Sequence, residues 1–206
     1  IAIAGHVWIV EEIDHKRHLV YCTLVKGKVP AYFGDCPGDI NTKILLRMRQ
    51  VLREDKSYPY LMKNAVNRLT QGRQSARNSG VTESPLICLG GNMWALFPWL
   101  GTYAFLALER FLKLRCGERL GLKGMDSARP YYIQFVMKAA PEEFFAVLAE
   151  EADVPFDPLT LVYPNEVPAF EKYDQYLPDE LICKGFAYGV LAVEEMKRRV
   201  KEWVEN

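Results

Sequence analysis

Basic residues between positions 43 and 77 are the part of this sequence best suited to chemistry, and that chemistry is the binding of phosphate groups. Only Glu54 and Asp55 oppose them there. Lysine and arginine bind nucleic-acid phosphates, and counterion release favours this binding whatever the base sequence. The basic residues are Lys43, Arg47, Arg49, Arg53, Lys56, Lys63, Arg68, Arg73 and Arg77.

Amide side chains accompany these cations. Asn64, Asn67, Gln71 and Gln74 recur at helical spacing, so one helix face would carry all four beside Lys63. Amides donate and accept hydrogen bonds, which suits contacts with a nucleic-acid backbone or with bases. The pattern predicts a nucleic-acid-binding surface. Its candidate residues are Arg47, Arg49, Arg53, Lys56, Lys63, Asn64, Asn67, Arg68, Gln71 and Arg77.

A plainer interpretation of this stretch stays open, namely a solvated helix pair whose charges have no ligand. Arg73 is less suited to binding phosphate, because its position around the helix lies close to the apolar face. Trp8, Trp94 and Trp99 could stack on unpaired bases. Their apolar neighbours favour core packing instead.

No catalytic residue is predicted. A nucleotide-driven motor needs a glycine-rich loop ending in Gly-Lys-Ser/Thr and a downstream acidic motif that holds magnesium. The sequence contains neither. Its nearest acidic match, at 179–182, lies at the start of a helix, where acidic side chains interact favourably with the helix dipole. Adjacent carboxylates such as Glu142 and Glu143 point in different directions, so they do not form a paired-acid site.

No metal or disulfide framework is predicted either. The histidines His6, His15 and His18 lie in or beside one turn, without the cysteine or carboxylate spacing that defines a zinc site. The cysteines are scattered and odd in number, which fits inert thiols in a reducing cytoplasm. No apolar run is long enough to span a membrane, so we expect a soluble cytoplasmic protein with no membrane partner.

The distribution of charge divides the chain. Residues 1–138 hold 20 Lys and Arg against 11 Asp and Glu, whereas residues 139–206 hold 6 against 15. Such asymmetry suggests two parts with different partners. We expect residues 1–124 to form a β-barrel-like subdomain and residues 125–206 an acidic, α-rich subdomain. The chain begins at Ile1 within an apparent strand, so we expect it to be a fragment of a longer protein.

The patterning predicts an α+β fold: a small antiparallel β-sheet or partial barrel with an inserted helix pair at 40–77, followed by the helical subdomain. Strands are expected in the opening hairpin, at 29–33, on both sides of Gly90-Gly91 and at 131–138. A helix is expected at 102–116 ending at Gly117, a glycine-rich linker at 121–130, and helices at 140–152 and from Pro178 to about Val204.

Three local patterns together resemble the region beyond the motor in large helicase-related (Lhr-type) DEAD/DEAH-box helicases. They are the opening GHVWIVEEID hairpin with its later Pro-aromatic-Gly segment at 5–35, FPWLGTYAFLALERFL at 97–112 and FEKYDQYLPDELICKGFAYGVL at 170–191. One departure is that Ala192-Val193-Glu194 follows where the family would have Leu-Asp.

This resemblance implies a non-motor, carboxy-terminal domain that binds and guides a single DNA or RNA strand. ATP and magnesium would then bind the motor domains of the parent helicase, which are also expected partners, and this fragment would need no cofactor. Two alternatives remain open: a docking module whose acidic half packs on the motor or a protein partner, and a small free-standing enzyme with an unfamiliar site.

Overall fold

The structure is a computed structural model, and it describes residues 2–3, 6–26 and 39–205. The chain divides into two compact units, Ile1–Gly38 and Asp39–Asn206. Mixed strands and helices confirm the predicted α+β class. The strands are β1 (Ala2–Ile3), β2 (His6–Asp14), β3 (Leu19–Val25), β4 (Leu86–Gly90), β5 (Met93–Leu96), β6 (Lys123–Ala128) and β7 (Tyr132–Val136). The helices are α1 (Thr42–Arg53), α2 (Lys63–Ser79), α3 (Thr102–Phe111), α4 (Gly117–Leu120), α5 (Pro141–Asp153), α6 (Asp179–Gly185) and α7 (Val193–Glu205).

The first unit is an antiparallel sheet in the order β1-β2-β3. The predicted opening hairpin is confirmed. Its turn is closed by Asp14, whose Oδ1 accepts hydrogen bonds from the main-chain N–H groups of Lys16 and Arg17, both at 3.0 Å. The strand predicted at 29–33 lies outside the described residues.

The second unit contains a separate antiparallel sheet in the order β4-β5-β7-β6. β4 and β5 form the hairpin predicted around Gly90-Gly91, and β5 continues onto β7 with Leu96 opposite Ile133. The segment expected as a linker at 121–130 instead contains β6, where Ser127 pairs with Ile133. The domain boundary expected between residues 124 and 125 therefore falls inside a strand.

The core of the second unit is built around α3. Phe105, Leu108 and Phe111 of this helix are fully buried. They belong to one apolar cluster with residues of the sheet, of α5 and of α7, including Phe135 and Met196. Since every layer contributes to this cluster, the sheet and the carboxy-terminal helices form one hydrophobic core.

Helix α3 runs further than predicted. It passes through a π-helical segment, Leu112–Cys116, into α4, and it ends at Gly121, whose φ of 60° only glycine adopts freely. Gly117, the expected end, lies inside the helix. The carboxy-terminal helix is shorter than predicted, because a π-helical segment, Phe186–Val190, and an extended Leu191 separate α6 from α7.

The helix pair α1 and α2 is fastened at its root to the start of α3. Gly101 donates its N–H to Thr42 Oγ1 at 2.7 Å, and the N–H of Ile40 donates to Thr102 Oγ1 at 3.0 Å. The N–H of Thr102 donates in turn to the Ile40 carbonyl at 2.9 Å. Asn41 caps α1, and its Oδ1 accepts a hydrogen bond from the N–H of Lys43 at 2.9 Å. These bonds fix the direction in which the helix pair leaves the core.

The apolar face of α1 is only partly buried. Leu45 is buried, but Ile44 is 61% exposed and Met48 is also exposed. One close approach between the helices is at Gly72 of α2, where a Cβ would lie 3.9 Å from Leu52. The beginning of α2, residues 63–68, is exposed apart from Ala65.

The described part of the chain contains no helix that is both long enough and apolar enough to cross a membrane.

Candidate nucleic-acid interface

Helices α1 and α2 carry the predicted cations with no acidic residue in either helix. Each contains four Lys or Arg side chains, and neither contains Asp or Glu. Any carboxylate that neutralises them comes from outside the two helices. The structure supplies three: Glu54 and Asp55, which directly follow α1, and Glu83.

Arg47 is held by the first of these carboxylates. Its Nη2 lies 3.0 Å from Glu54 Oε1 and donates to the Tyr58 hydroxyl at 2.9 Å. Tyr58 in turn donates to Glu54. The hydrogen bond from Tyr58, with help from Arg47, holds the pKa of Glu54 below its ordinary value. Arg47 is therefore part of a local network, although its side chain stays close to half exposed.

Arg53 and Arg77 also have carboxylate partners. Arg53 Nη2 lies 3.2 Å from Glu83 Oε2, and Arg77 pairs with Asp55. All four side chains are exposed, and exposed ion pairs contribute little to stability. Among the described residues, every ion pair of the two helices is made within 47–83 and none with the acidic stretch 139–206. The acidic half therefore leaves this surface uncovered by ion pairs.

Arg73 has a structural role, as its helical phase suggested. Its Nε donates to the Val51 carbonyl at 2.9 Å and its Nη2 to the Lys56 carbonyl at 3.0 Å. The guanidinium lies 5.9 Å from the centre of the Tyr58 ring, and the ammonium of Lys56 lies 6.0 Å from it. Arg73 thus joins α2 to the end of α1 and to the segment that follows it.

Lys63 and Arg68 are the predicted cations that remain available on α2. Both are exposed, and neither has a carboxylate within ion-pair distance among the residues that the structure describes. The predicted amides Asn64, Asn67 and Gln71 are exposed on the same helix.

The amide row extends one position beyond the prediction, because Gln74 Nε2 donates to Asn78 Oδ1 at 2.8 Å. Asn64 accepts from the neighbouring Ala65 N–H through Oδ1, which leaves its amide N–H₂ for a ligand. The outer face of α2 is therefore a hydrophilic track of amides flanked by positive charge.

Arg49 lies on a different surface from this track. It lines a groove of about 580 Å³ together with Arg53 and with Arg199 of α7. Glu83 and Glu202 line the same groove, as do the aromatic rings of Phe145 and Trp203. The groove thus lies between α1, the first of the basic helices, and α7.

The groove carries more positive than negative charge. Arg53 pairs with Glu83 at 3.2 Å and Arg199 with Glu202 at 2.9 Å, whereas Arg49 donates its Nε to the Thr82 carbonyl at 2.8 Å. Burial, and then the nearby Arg53 and Arg199, lower the pKa of Arg49 below its ordinary value. An arginine remains charged near neutral pH even so, and a crowded, half-buried guanidinium favours an anion beside it.

Arg199 is the groove residue whose environment is most constrained. Its side chain is only 12% exposed, and its Nε is buried without a hydrogen-bond partner. Phe145 and Trp203 meet edge to face beside it, with ring centres 6.2 Å apart.

Sequence reasoning did not select Arg199 or Trp203 as site residues. Their signal was available, since positions four apart on a helix share one face. What the sequence lacked was the packing of α7 beside Arg49.

Two of the three tryptophans pack in or against the core, as their apolar neighbours indicated. Trp99 is buried, and Trp94 packs against the core. Trp8 is partly buried in the first unit. Among residues 2–3, 6–26 and 39–205, no group of three histidine, cysteine or acidic side chains has an arrangement suited to a metal ion.

Comparison of this chain with protein-family models, with curated proteins and with solved structures finds no match.

Proposed function

We propose that this chain is a strand-binding, non-motor domain of an ATP-dependent DEAD/DEAH-box helicase, and that α1 and α2 contact the nucleic acid. One observation carries the proposal: two packed helices hold eight cations and no acid, and the acidic half of the chain leaves them uncovered by ion pairs. Such a surface supports sequence-independent binding through phosphate contacts. In this proposal the protein works in the cytoplasm, and ATP and magnesium bind the motor.

The side chains of the helix pair have distinct roles in this proposal. Lys63 and Arg68 hold phosphates, while Asn64, Asn67 and Gln71 offer hydrogen bonds to the sugar, the backbone or the bases. Three further cations would bind phosphate only after breaking an ion pair with a carboxylate: Arg47, Arg53 and Arg77. A single strand fits this arrangement better than a duplex, since unpaired bases expose the polar edges that amides bind.

The test is a titration of fluorescently labelled single-stranded DNA and RNA with the chain, repeated at several salt concentrations. We expect weak binding whose affinity falls as salt rises, and no hydrolysis of ATP by this chain alone. The double variant Lys63→Ala with Arg68→Ala should weaken binding roughly tenfold and lower the salt slope by about 2. Binding that is absent, or that ignores salt, would contradict the proposal.

A matched control is Lys172→Ala with Lys184→Ala, which removes the same charge from the acidic half. This variant should bind as the unchanged chain does. The parent-helicase part of the proposal is checked in the longer coding sequence, which should encode a phosphate-binding Gly-Lys-Ser/Thr loop. In that protein, deletion of residues 39–206 should reduce strand binding while the motor still hydrolyses ATP.

A second candidate function, docking on the motor, is favoured by one specific feature. Tyr60 and Met62 are 77% and 78% exposed in the segment that leads into α2, and Val66 beside them is exposed too. Such apolar side chains suit a protein contact. Tyr60→Ser with Met62→Ser should leave oligonucleotide binding unchanged but weaken association with the motor domains if this surface docks there.

A further inference from the structure

The groove between α1 and α7 is a concave site with a cationic wall and an aromatic wall. Arg49, Arg53 and Arg199 supply three guanidinium groups, and the carboxylates of Glu83 and Glu202 neutralise only two of them. Arg49 is the guanidinium without a carboxylate partner among the described residues. One positive charge is left over, and a monoanionic oxygen ligand such as a phosphodiester would balance it.

The shape of the guanidinium group favours phosphate as that ligand. Arg49 uses Nε for the Thr82 carbonyl, so its two terminal nitrogens remain for a two-point contact with an oxyanion. The guanidinium of Arg199 lines the same groove, and its Nη1 lies 2.9 Å from Glu202 Oε2. Donors from two helices would then hold one anion, which is a more specific arrangement than a row of surface lysines.

Trp203 indicates that the ligand has an apolar part next to its charge. The indole ring is partly exposed, lines the groove and is braced edge to face by Phe145. A free inorganic anion gains nothing from such a wall, whereas the sugar and base of a nucleotide pack against it. The volume of about 580 Å³ is sufficient for one nucleotide.

We propose that this groove holds one nucleotide of the bound strand, with its phosphate between Arg49 and Arg199 and its base or sugar against Trp203. This inference rests on the proposed strand-binding function, and it names the residues that hold one nucleotide of the strand in place. The outer face of α2 then guides the neighbouring nucleotides, and the groove sets where the strand is anchored.

The experiment compares oligonucleotide affinity in groove variants of the full chain. Arg199→Ala should weaken binding roughly tenfold, as should Trp203→Leu, because each removes one contact of the anchored nucleotide. Arg198→Ala is the matched control, since Arg198 is the exposed neighbour of Arg199 on the same helix and lies outside the groove. It should leave affinity unchanged. Equal affinities for Arg198→Ala and Arg199→Ala would overturn the inference.

A variant that binds more tightly is also informative, because an increase in affinity cannot result from unfolding. Glu83→Gln removes the carboxylate that competes for Arg53, and the exposure of this pair means that the fold should tolerate the change. We expect roughly two- to fivefold tighter oligonucleotide binding. Binding that is unchanged or weaker in Glu83→Gln would count against a phosphate in the groove.

Two-dimensional nuclear magnetic resonance separates this inference from the proposed function. The Trp203 indole signal and the Arg199 Nε–H signal should shift with oligonucleotide and, less strongly, with inorganic phosphate. Oligonucleotide binding without these shifts would overturn the groove assignment and leave the strand-binding function standing. Shifts with phosphate but no oligonucleotide binding would keep the anion site and overturn the strand-binding function. Stronger competition from an acidic peptide than from the oligonucleotide would assign the groove to a protein partner and overturn the inference.

Discussion

Arg110 and Glu166 form a two-point ion pair inside the second unit, with Nη1 2.6 Å from Oε2 and Nη2 2.7 Å from Oε1. Arg110 is 5% exposed, and its guanidinium lies 4.4 Å from the centre of the Tyr163 ring and 4.7 Å from that of Phe186. Nη1 also donates to the Leu161 carbonyl at 3.1 Å. This pair holds the loop after α5 against α3.

Loss of the carboxylate at Glu166 should destabilise the protein. Glu166→Gln leaves the buried charge of Arg110 without its anion, which should lower the free energy of unfolding by about 3 kcal/mol. Chemical denaturation at neutral pH measures the change. Glu180→Gln is a suitable control, because its pair with Lys184 is exposed and should contribute little. Equal stability of the two variants would contradict a structural role for the pair.

The same pair predicts a pH dependence of stability. Hydrogen bonds from Arg110, and then the N–H of Tyr163, hold the pKa of Glu166 below its ordinary value of 4.5. Because the folded-state pKa is depressed, this stabilisation is complete above the unfolded pKa and is lost as pH falls through the folded one. Denaturation midpoints measured at pH values descending from about 4.5 should therefore drop less steeply in Glu166→Gln than in the unchanged chain.

Gly101 should tolerate no side chain. A Cβ there would lie 2.5 Å from the Ile40 carbonyl oxygen and 2.6 Å from the Thr42 nitrogen, and both obstacles are backbone. Gly101→Ala should destabilise the fold by about 2 kcal/mol and loosen the root of α1. Gly189→Ala is the control, since a Cβ there meets nothing within 4 Å. Thermal unfolding compares them, and similar melting temperatures for the two variants would refute this account of the clamp.

Arg73 should be required for the helix pair rather than for binding. Arg73→Lys keeps the charge but cannot donate to both the Val51 and Lys56 carbonyls with the same geometry. We expect hydrogen exchange in α2 to rise in this variant, whereas Arg68→Lys should leave it unchanged because Arg68 is exposed. Protection factors that match in both variants would show that Arg73 does not join the helices.

The cysteines should differ in reactivity. Burial raises the pKa of the Cys116 thiol to about 12, whereas Cys88 is exposed. Thiolates are the reactive form, so iodoacetamide near neutral pH should label Cys88 and spare Cys116. Mass spectrometry of the digested protein identifies the labelled site. A Cys116 that reacts as fast as Cys88 in the native state would contradict its burial in the core.

Periodicity and turn chemistry predicted most elements because these signals are local. The hairpin closed by Asp14 and the α1 cap at Asn41 both depend on neighbours within three residues. The sequence failed where a distant partner decides the outcome. The pattern predicted a linker at 121–130 because Gly121 and Gly124 are typical of turns, and only pairing with β7 makes part of it the strand β6.

The candidate site was predictable in composition but not in geometry. The absence of acids from α1 and α2 was visible in the sequence, and so were their cations and amides. The pairing of Arg53 with Glu83 was not visible, because 30 residues separate the partners. The approach of Arg199 to Arg49 was hidden for the same reason, since it depends on how α7 packs.

The presence of β6 determines how smaller pieces of this chain should be produced. A fragment starting at residue 125 would cut β6 and discard β4 and β5, leaving β7 with unpaired edges that favour aggregation. A fragment starting at Asp39 retains the whole second sheet, the helix pair and the groove. For expression and crystallisation trials, Asp39 is accordingly the better starting residue.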